Sequence, residues 1–441
     1  MSSSIPSRLQ WRIRQLTRKL WFRATLFSLL AVATALVGIA LKPLIPDSIS
    51  RGVGADAVDN ILGVIASSML AVTIFSLSTM VNAYVAASSN VTPRSIRLLT
   101  DDATAQNALG TFIGAFLFSL VGIIALSTGV YGAQGRLVLF VVTLAVVAFV
   151  VFTLLRWIDH VSKLGQVAGT THRIEEAAIR AMRARHDNPY LGGHPLRSMA
   201  DIPDDAQPIY PREVGYVQNI DMEALSELAQ EHNGCSIYIG SPPGTLAEPS
   251  RPLTWIRSGP GGKQCEQEVR KAFSIGRLRS YDQDPRFGAS VLAEIASHAL
   301  SSGINDPGTA IDIIGRAVRL LSVWAERKEP APGDDVPHPR VYVPGILLPD
   351  LFDDIFRPIA RDGAGLVEIG IRLQKALRSL ARIGDERFAE CAQHHSRQAL
   401  QRALEVLTLE EDKRQLRELA DEVARVPASP SARARHAAAN A

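Results

Sequence analysis

Hydrophobic residues are concentrated before about residue 160, where they form four long, almost uninterrupted runs. These runs cover residues 24–45, 57–88, 108–131 and 137–158. Each run reaches the roughly 20 residues that an α-helix needs to cross about 30 Å of hydrocarbon. The pattern predicts an α-helical membrane domain with four transmembrane helices over 24–160, embedded in a lipid bilayer and preceded by a basic segment, 1–23.

The second run differs from the others because Asn, Ser and Thr recur within it. At 100° per residue, a stripe of small and polar residues follows one side of the predicted helix. The stripe consists of Asn60, Ser67, Ala71, Ser78, Asn82 and Ser89. Such a stripe suits close packing between helices, and it also suits the wall of a water-filled path in a homo-oligomer. The stripe contains no charged residue, which argues against a proton relay within the span.

Lysine and arginine residues in the flanks of the runs predict the orientation. Thirteen of them lie on the side that includes the chain's first residues and the segment after 158, against three on the opposite side. Positive charge is retained on the cytoplasmic face of a membrane. We therefore expect a multi-pass membrane protein with both termini in the cytoplasm.

The sequence after residue 160 contains no further run long enough to span a membrane. Its pattern of strands and helices predicts a cytoplasmic α+β domain. The predicted parts are a connecting helix with a Pro-rich linker (161–212), a small strand-helix-strand module (213–260), a mainly helical part (261–426) and a disordered tail (427–441). Asp221 is placed to cap the helix of the module, and Gly234 is placed to end it. The helices predicted in the third part cover 263–273, 286–300, 307–328, 347–360, 364–383, 386–407 and 410–426.

Two of these helices begin with Asp followed by Pro, at Asp284 and at Asp306. An Asp at the N-cap accepts hydrogen bonds from free amides of the first turn, and Pro at the next position sacrifices no helical bond. The segment HALSSGINDPGTAID therefore predicts a tight hairpin between two helices, in which Asn305 belongs to the turn.

The same region holds the residues that we consider for ligand binding. Glu294 and His298 are four residues apart on one helix face, and Asp306 and Asp312 lie nearby across the turn, a set that suits a cation or acid-base chemistry. In the alternative interpretation, Asp306 only caps its helix, Asn305 only shapes the turn and His298 bonds to a neighbour. Arg277, Arg279 and Arg286 lie near capped helix starts and suit a small anionic ligand or anionic lipid headgroups.

Several other kinds of chemistry find no support in the sequence. The formal charge of +3 is small and diffuse, so nucleic-acid binding is not expected. The segment GPGGK at 259–263 lacks the P-loop hydroxyl and predicts an ordinary loop. The three cysteines form no CxxC pair and predict reduced thiols. No catalytic residue, cofactor or identifiable metal site follows from these patterns.

The segment SYDQDPRFGASVLAEIASHALSSGINDPGTAID resembles the hallmark of a bacterial family of predicted integral membrane proteins of unknown function. In that family a QDP, an F-G pair and an A-L-S-P-G-x-N-D-P-x-T-A segment recur, and Ser302 stands here where the family has Pro. GYVQNIDMEALSELA and FSLSTMVNAYVAASSNVTPR are similar as well, so the resemblance covers about 20–420. It implies a bacterial inner-membrane protein and supplies no activity, catalytic residue or cofactor.

Three functions remain open from the sequence. The first is a homo-oligomeric channel or transport protein whose pore is lined by the second span and whose cytoplasmic domain assembles or gates it. The second is a membrane-anchored sensor or scaffold without conductance. The third is a membrane-bound enzyme that uses Glu294 and His298.

Overall fold

The computed structural model describes residues 17, 20–40, 55–100, 102–128, 132–163, 166–231, 235–257, 265–326 and 336–427. These residues separate into two compact units, and the division lies between Thr170 and Thr171. Most of the basic segment 1–23, Gly234, the GPGGK segment and the tail after 427 lie outside the described residues.

The N-terminal unit is helical. Its helices are α1 (Leu20–Ala40), α2 (Ala55–Asn90), the short α3 (Ile96–Thr100), α4 (Ala103–Ser127) and α5 (Gly132–Lys163). Three of them, α2, α4 and α5, are long and apolar enough to cross a membrane. The apolar stretch described in α1, Trp21–Thr34, is shorter than those of the other three helices. The predicted count of four spans is therefore not confirmed.

Helix α4 lies at the centre of this unit and packs against α1, α2 and α5. Two glycines one turn apart allow α1 to approach closely, because a Cβ atom on Gly110 would lie 2.9 Å from Cδ2 of Phe27 and one on Gly114 would lie 3.3 Å from the Phe27 carbonyl oxygen. Such small residues are common where membrane helices pack. Asp102 caps α4 by accepting bonds from the amides of Thr104 and Ala105.

The C-terminal unit mixes helices and strands. Its helices are α6 (Val167–Asp187, which begins before the division), α7 (Met222–Glu231), α8 (Cys265–Ala272), α9 (Pro285–Ala299), α10 (Pro307–Ala325), α11 (Leu348–Asp362), α12 (Val367–Ile383), α13 (Glu386–Val406) and α14 (Glu410–Ala424). Its strands are β1 (Gly193–Leu196), β2 (Gln207–Ile209), β3 (Gly215–Ile220), β4 (Ser236–Ile239), β5 (Leu246–Ala247), β6 (Thr254–Arg257), β7 (Phe273–Gly276) and β8 (His338–Pro344).

The strands form two sheets. The larger has the order β1-β8-β4-β6-β2, with β8 parallel to both of its neighbours, and the smaller has the order β5-β3-β7 with antiparallel pairs. Alternate residues of β4 and β8, such as Ile237 and Val341, face a core that α7 covers. Tyr238 and Tyr342 lie on the opposite face, with their ring centroids 4.8 Å apart.

The two sheets connect segments that the sequence assigns to different parts of this unit. The stretch after α6 that the sequence predicts as a linker contains β1 and β2, the two edge strands of the larger sheet. The two strands of the strand-helix-strand module, β3 and β4, belong to different sheets. Strands β7 and β8, which lie in the part predicted as helical, complete those two sheets.

The predicted helices of the C-terminal part are confirmed with shifts of a few residues at their ends. They pack closely at one place in particular: a Cβ atom on Gly288 of α9 would lie 2.3 Å from Cβ of Ala178 on α6. Helices α6 and α9 are therefore in direct contact at this point, and a residue larger than glycine at position 288 would clash with Ala178. Asp221 accepts a bond from the amide of Ala224 and caps α7 as predicted.

Candidate functional site

The polar stripe of the second run lies on α2, a helix of 36 residues that is about 54 Å long. All six residues of the stripe are exposed on the surface of the protomer. The opposite side of α2 is buried and includes Leu62, Met69 and Met80. The stripe therefore faces away from the protomer's own core.

The hydroxyl groups of the stripe are partly satisfied within the helix. Ser67 donates to the carbonyl oxygen of Gly63, and Ser89 donates to that of Val85, at 3.0 and 3.1 Å. The amides of Asn60 and Asn82 form no hydrogen bond to another residue among those described. Large apolar side chains such as Ile74 and Phe75, 62% and 70% exposed, share the outer surface of α2.

The predicted hairpin between helices is present, and its polar residues maintain its shape. Asp306 accepts bonds from the amide and the hydroxyl of Thr309, at 3.0 and 2.6 Å, and thereby caps α10. The Thr309 hydroxyl is the main reason why the pKa of Asp306 is lowered. Asn305 has a φ of 51°, in the left-handed region that Asn tolerates better than most residues. Both residues are exposed.

Glu294 and His298 lie one turn apart on α9 and are partly exposed. Across the described residues no group of three or more His, Cys, Asp or Glu side chains is placed to hold a metal ion. His298 is in the last turn of α9, whereas Asp284 caps its first turn, about 20 Å away at 1.5 Å per residue. The ligand-binding candidates thus lie at two opposite ends of α9, with Arg277 and Arg279 at its beginning.

At that beginning, the QDP segment joins three parts of the unit. The side chain of Gln283 accepts a bond from the amide of Ile220 and donates to its carbonyl oxygen, as a neighbouring strand would at the end of β3. Asp284 caps α9 through the amide of Phe287. It also accepts two bonds from Arg279, at 2.8 and 3.0 Å. Burial raises the pKa of Asp284, and the bonds from Arg279 oppose that rise.

The sequence does not identify the partners of these charged groups. Arg286 bonds to Asp354 and Asp350 of α11, more than 60 positions away along the chain. Arg277 is exposed, in contrast to the half-buried Arg279. Gly244, with a φ of 91°, passes so close to Asp284 that a Cβ atom there would lie 2.3 Å from Oδ2. Long-range pairs of this kind leave no periodic signal in the sequence.

Comparison with known proteins places the chain in a family. Residues 17–379 match DUF2254, whose members are described as predicted membrane proteins. The chain belongs to this family. Membership in DUF2254 agrees with the apolar helices of the N-terminal unit and assigns no activity to the protein.

Relatives of this DUF2254 protein occur in mycobacteria. It is 25% identical over 308 residues to the uncharacterized protein Mb1321c of Mycobacterium bovis, in an alignment that covers 68% of this chain and 58% of the relative. The same values hold for the uncharacterized protein Rv1290c of Mycobacterium tuberculosis. The chain thus spans less than two thirds of the length of these curated relatives. No solved structure matches it.

Proposed function

We propose that this DUF2254 protein is a homo-oligomeric channel or transport protein of the bacterial inner membrane. In this proposal the stripe of α2 lines the pore, and the C-terminal unit lies in the cytoplasm, where it assembles or gates the oligomer. Helix α1 crosses the membrane together with α2, α4 and α5, which makes four spans and leaves both termini in the cytoplasm.

The observation that carries this proposal is the outward exposure of the whole stripe on α2. Its amides, Asn60 and Asn82, lie within the candidate span 58–89. An unsatisfied polar group in hydrocarbon costs several kcal/mol. A lipid-facing position would therefore be unfavourable, whereas a second copy or a water-filled path would satisfy both amides.

The exposed apolar residues on the same helix favour an assembly over a protomer with a pore of its own. Ile74 and Phe75 flank the stripe on its two sides and are 62% and 70% exposed. In a ring of α2 helices the polar stripe faces the axis, and these flanking residues contact the neighbouring copies. Small and apolar side chains are suitable for such contacts between membrane helices.

A membrane-anchored sensor or scaffold is the second candidate, and a specific observation favours it. Ser67 and Ser89 already bond to their own helix, and hydroxyls satisfied in this way also suit a dry contact between copies. In a dry contact α2 holds the oligomer together and conducts nothing. The two candidates therefore agree on assembly and differ in conductance.

The test is ion flux through the purified full-length protein in liposomes. We expect flux above that of empty liposomes, and we expect Asn82→Leu to lower it several-fold because an apolar side chain would replace the amide in the pore wall. The matched control is Val81→Leu, one residue along the helix, 49% exposed and outside the stripe, which should leave flux unchanged. Flux equal to that of empty liposomes at verified incorporation would exclude the channel and leave the scaffold.

A further inference from the structure

A cavity of about 280 Å³ lies in the C-terminal unit, where separate segments of the chain meet. Its wall includes the last turn of α6, the turn at 242–245, the QDP segment and the beginning of α11. The volume is just below the range of roughly 300–1,000 Å³ that is usual for small-molecule sites. The cavity therefore suits a ligand of a few heavy atoms.

Three arginines line this cavity: Arg185, Arg279 and Arg286. Arg185 is only 3% exposed, and its Nη2 donates to the carbonyl oxygen of Pro344 at 3.2 Å. Arg279 is held by Asp284, and its guanidinium carbon lies 5.1 Å from the ring centroid of Phe287. Since their side chains have little freedom, the arginines form a site that is already arranged before a ligand binds.

The wall contains three guanidinium groups, of which those of Arg279 and Arg286 also bond to carboxylates. Among the lining residues the carboxylates are Asp284 and Asp350, against three guanidinium groups. The second partner of Arg286, Asp354, is not part of the wall. A guanidinium presents paired N–H donors that match the oxygens of phosphate and carboxylate groups. The wall therefore favours an anion.

The first turn of α11 adds to this preference. Leu347 occupies its N-cap position and supplies no side-chain hydrogen bond, and Pro349 follows within the turn. Leu347 and Asp350 both line the cavity, so this helix end lies at the site. The free amides of a helix N-terminus carry partial positive charge.

We propose that this cavity binds the phosphate group of a small molecule or of a lipid headgroup through Arg185, Arg279 and Arg286. The binding is independent of any conductance. A regulatory role rests on the function proposed above: Arg185 belongs to α6, which follows the last apolar helix in the chain, so a bound phosphate would act on the segment that leads to the pore.

Isothermal titration calorimetry of the full-length protein in detergent tests the binding. Inorganic phosphate and glycerol phosphate are titrated at constant ionic strength, and nanodiscs with and without phosphatidylglycerol form a parallel arm. We expect saturable binding of at least one phosphate compound in detergent. If the ligand is instead a lipid headgroup, we expect the binding heat in the nanodiscs to depend on the presence of phosphatidylglycerol. The arm that responds identifies the source of the phosphate.

The decisive variant is Leu347→Glu, which brings a negative charge to the cavity. Leu347 is 63% exposed, so the change leaves the core intact, and we expect at least a tenfold loss of affinity. Leu409→Glu is the matched control, because Leu409 is also an exposed leucine at an N-cap without a side-chain bond, at α14. It should bind like the unchanged protein.

Three results would overturn the proposal: no saturable binding in any arm, unchanged binding in Leu347→Glu, or an equal loss in both variants. Calorimetry does not depend on transport. If the protein binds phosphate but conducts nothing, the phosphate site is supported and the channel is excluded. If it conducts without binding phosphate, the channel is supported and the phosphate site is excluded.

Discussion

His395 is a buried histidine whose surroundings disfavour its charged form. It lies on α13 with only 4% of its surface exposed, and the rings of Phe352 and Phe356 are next to it. Burial lowers its pKa to about 4, although the carboxylate of Asp353, 3.4 Å from Nε2, favours the charged form. His395 is therefore neutral in the folded protein at neutral pH.

This low pKa predicts that the protein loses stability in mild acid. The ordinary value of 6.5 applies to the unfolded chain, so between pH 6.5 and about 4 the unfolded chain takes up a proton at this site and the folded protein does not. The folded state then becomes less stable as pH falls, by about 3 kcal/mol in total. Above pH 6.5 this contribution is fully retained.

Thermal unfolding of the full-length protein in detergent, measured between pH 7.5 and 4, checks this prediction through a variant. His395→Gln cannot titrate at this site, and its unfolding temperature should depend less steeply on pH. His394→Gln is the control, since His394 is the exposed neighbour on the same helix. Equal pH dependence in the two variants would contradict the assignment.

At the scale of elements, a buried carboxylate joins α6 to α10. Glu175, with a side chain 6% exposed, accepts bonds from Arg316 at 2.5 Å and from Arg319 at 2.6 Å. Arg316 also bonds to Asp312 on its own helix. Helix α6 also contacts α9, through Ala178 and Gly288. Both helices of the hairpin, α9 and α10, therefore contact α6.

Glu175→Gln should lower the free energy of unfolding by about 2 kcal/mol, because the buried Arg316 then keeps a single carboxylate partner, the half-exposed Asp312. Chemical denaturation of the full-length protein, followed by circular dichroism, measures the change. Glu176→Gln is the matched control: it alters the next residue, whose side chain is 52% exposed. A loss of similar size in both variants would show that Glu175 has no special role.

The sequence predicted the helices of this protein better than its sheets. Apolar runs mark α2, α4 and α5, and the Asp-Pro pairs mark the beginnings of α9 and α10, because each signal is contained within neighbouring residues. The strands that were missed, such as β1 with four residues and β2 with three, are too short to show alternation. Their pairing with β8 and β6 depends on segments far away in the chain.

The candidate site residues likewise fall into two groups: those that a local sequence pattern identifies, and those that only the fold brings together. The stripe on α2 is periodic and was predicted from the sequence alone, and so were the capping roles of Asp284 and Asp306. Arg185 at the cavity could not be predicted, because the cavity forms only where α6 meets segments about 60 to 160 residues further along the chain. The sequence could suggest Arg279 and Arg286 as ligand-binding residues but not the distant segments that complete the cavity around them.

For the whole molecule, the N-terminal unit leaves much of its apolar surface uncovered. Within its most apolar stretch the central helix α4 buries 56% of the residues, whereas α2 buries 22% and α5 buries 17%. The two outer helices differ in what they expose: the outer side of α5 presents apolar residues such as Phe149 and Phe152, and that of α2 includes the polar stripe. We therefore expect lipid to cover α5 and further copies of the protein to cover α2.

Cysteine cross-linking in membranes tests this arrangement separately from conductance. In a background without the three native cysteines, Asn82→Cys should form cross-linked dimers under mild oxidation, because the stripes of neighbouring copies approach one another. Met80→Cys should not, since Met80 is 3% exposed and faces the protomer's own core. Phe152→Cys, exposed on α5, controls for random collision. Dimers formed equally by the α2 and α5 variants would mean that α2 has no preferred contact, and both candidate functions would lose their common basis.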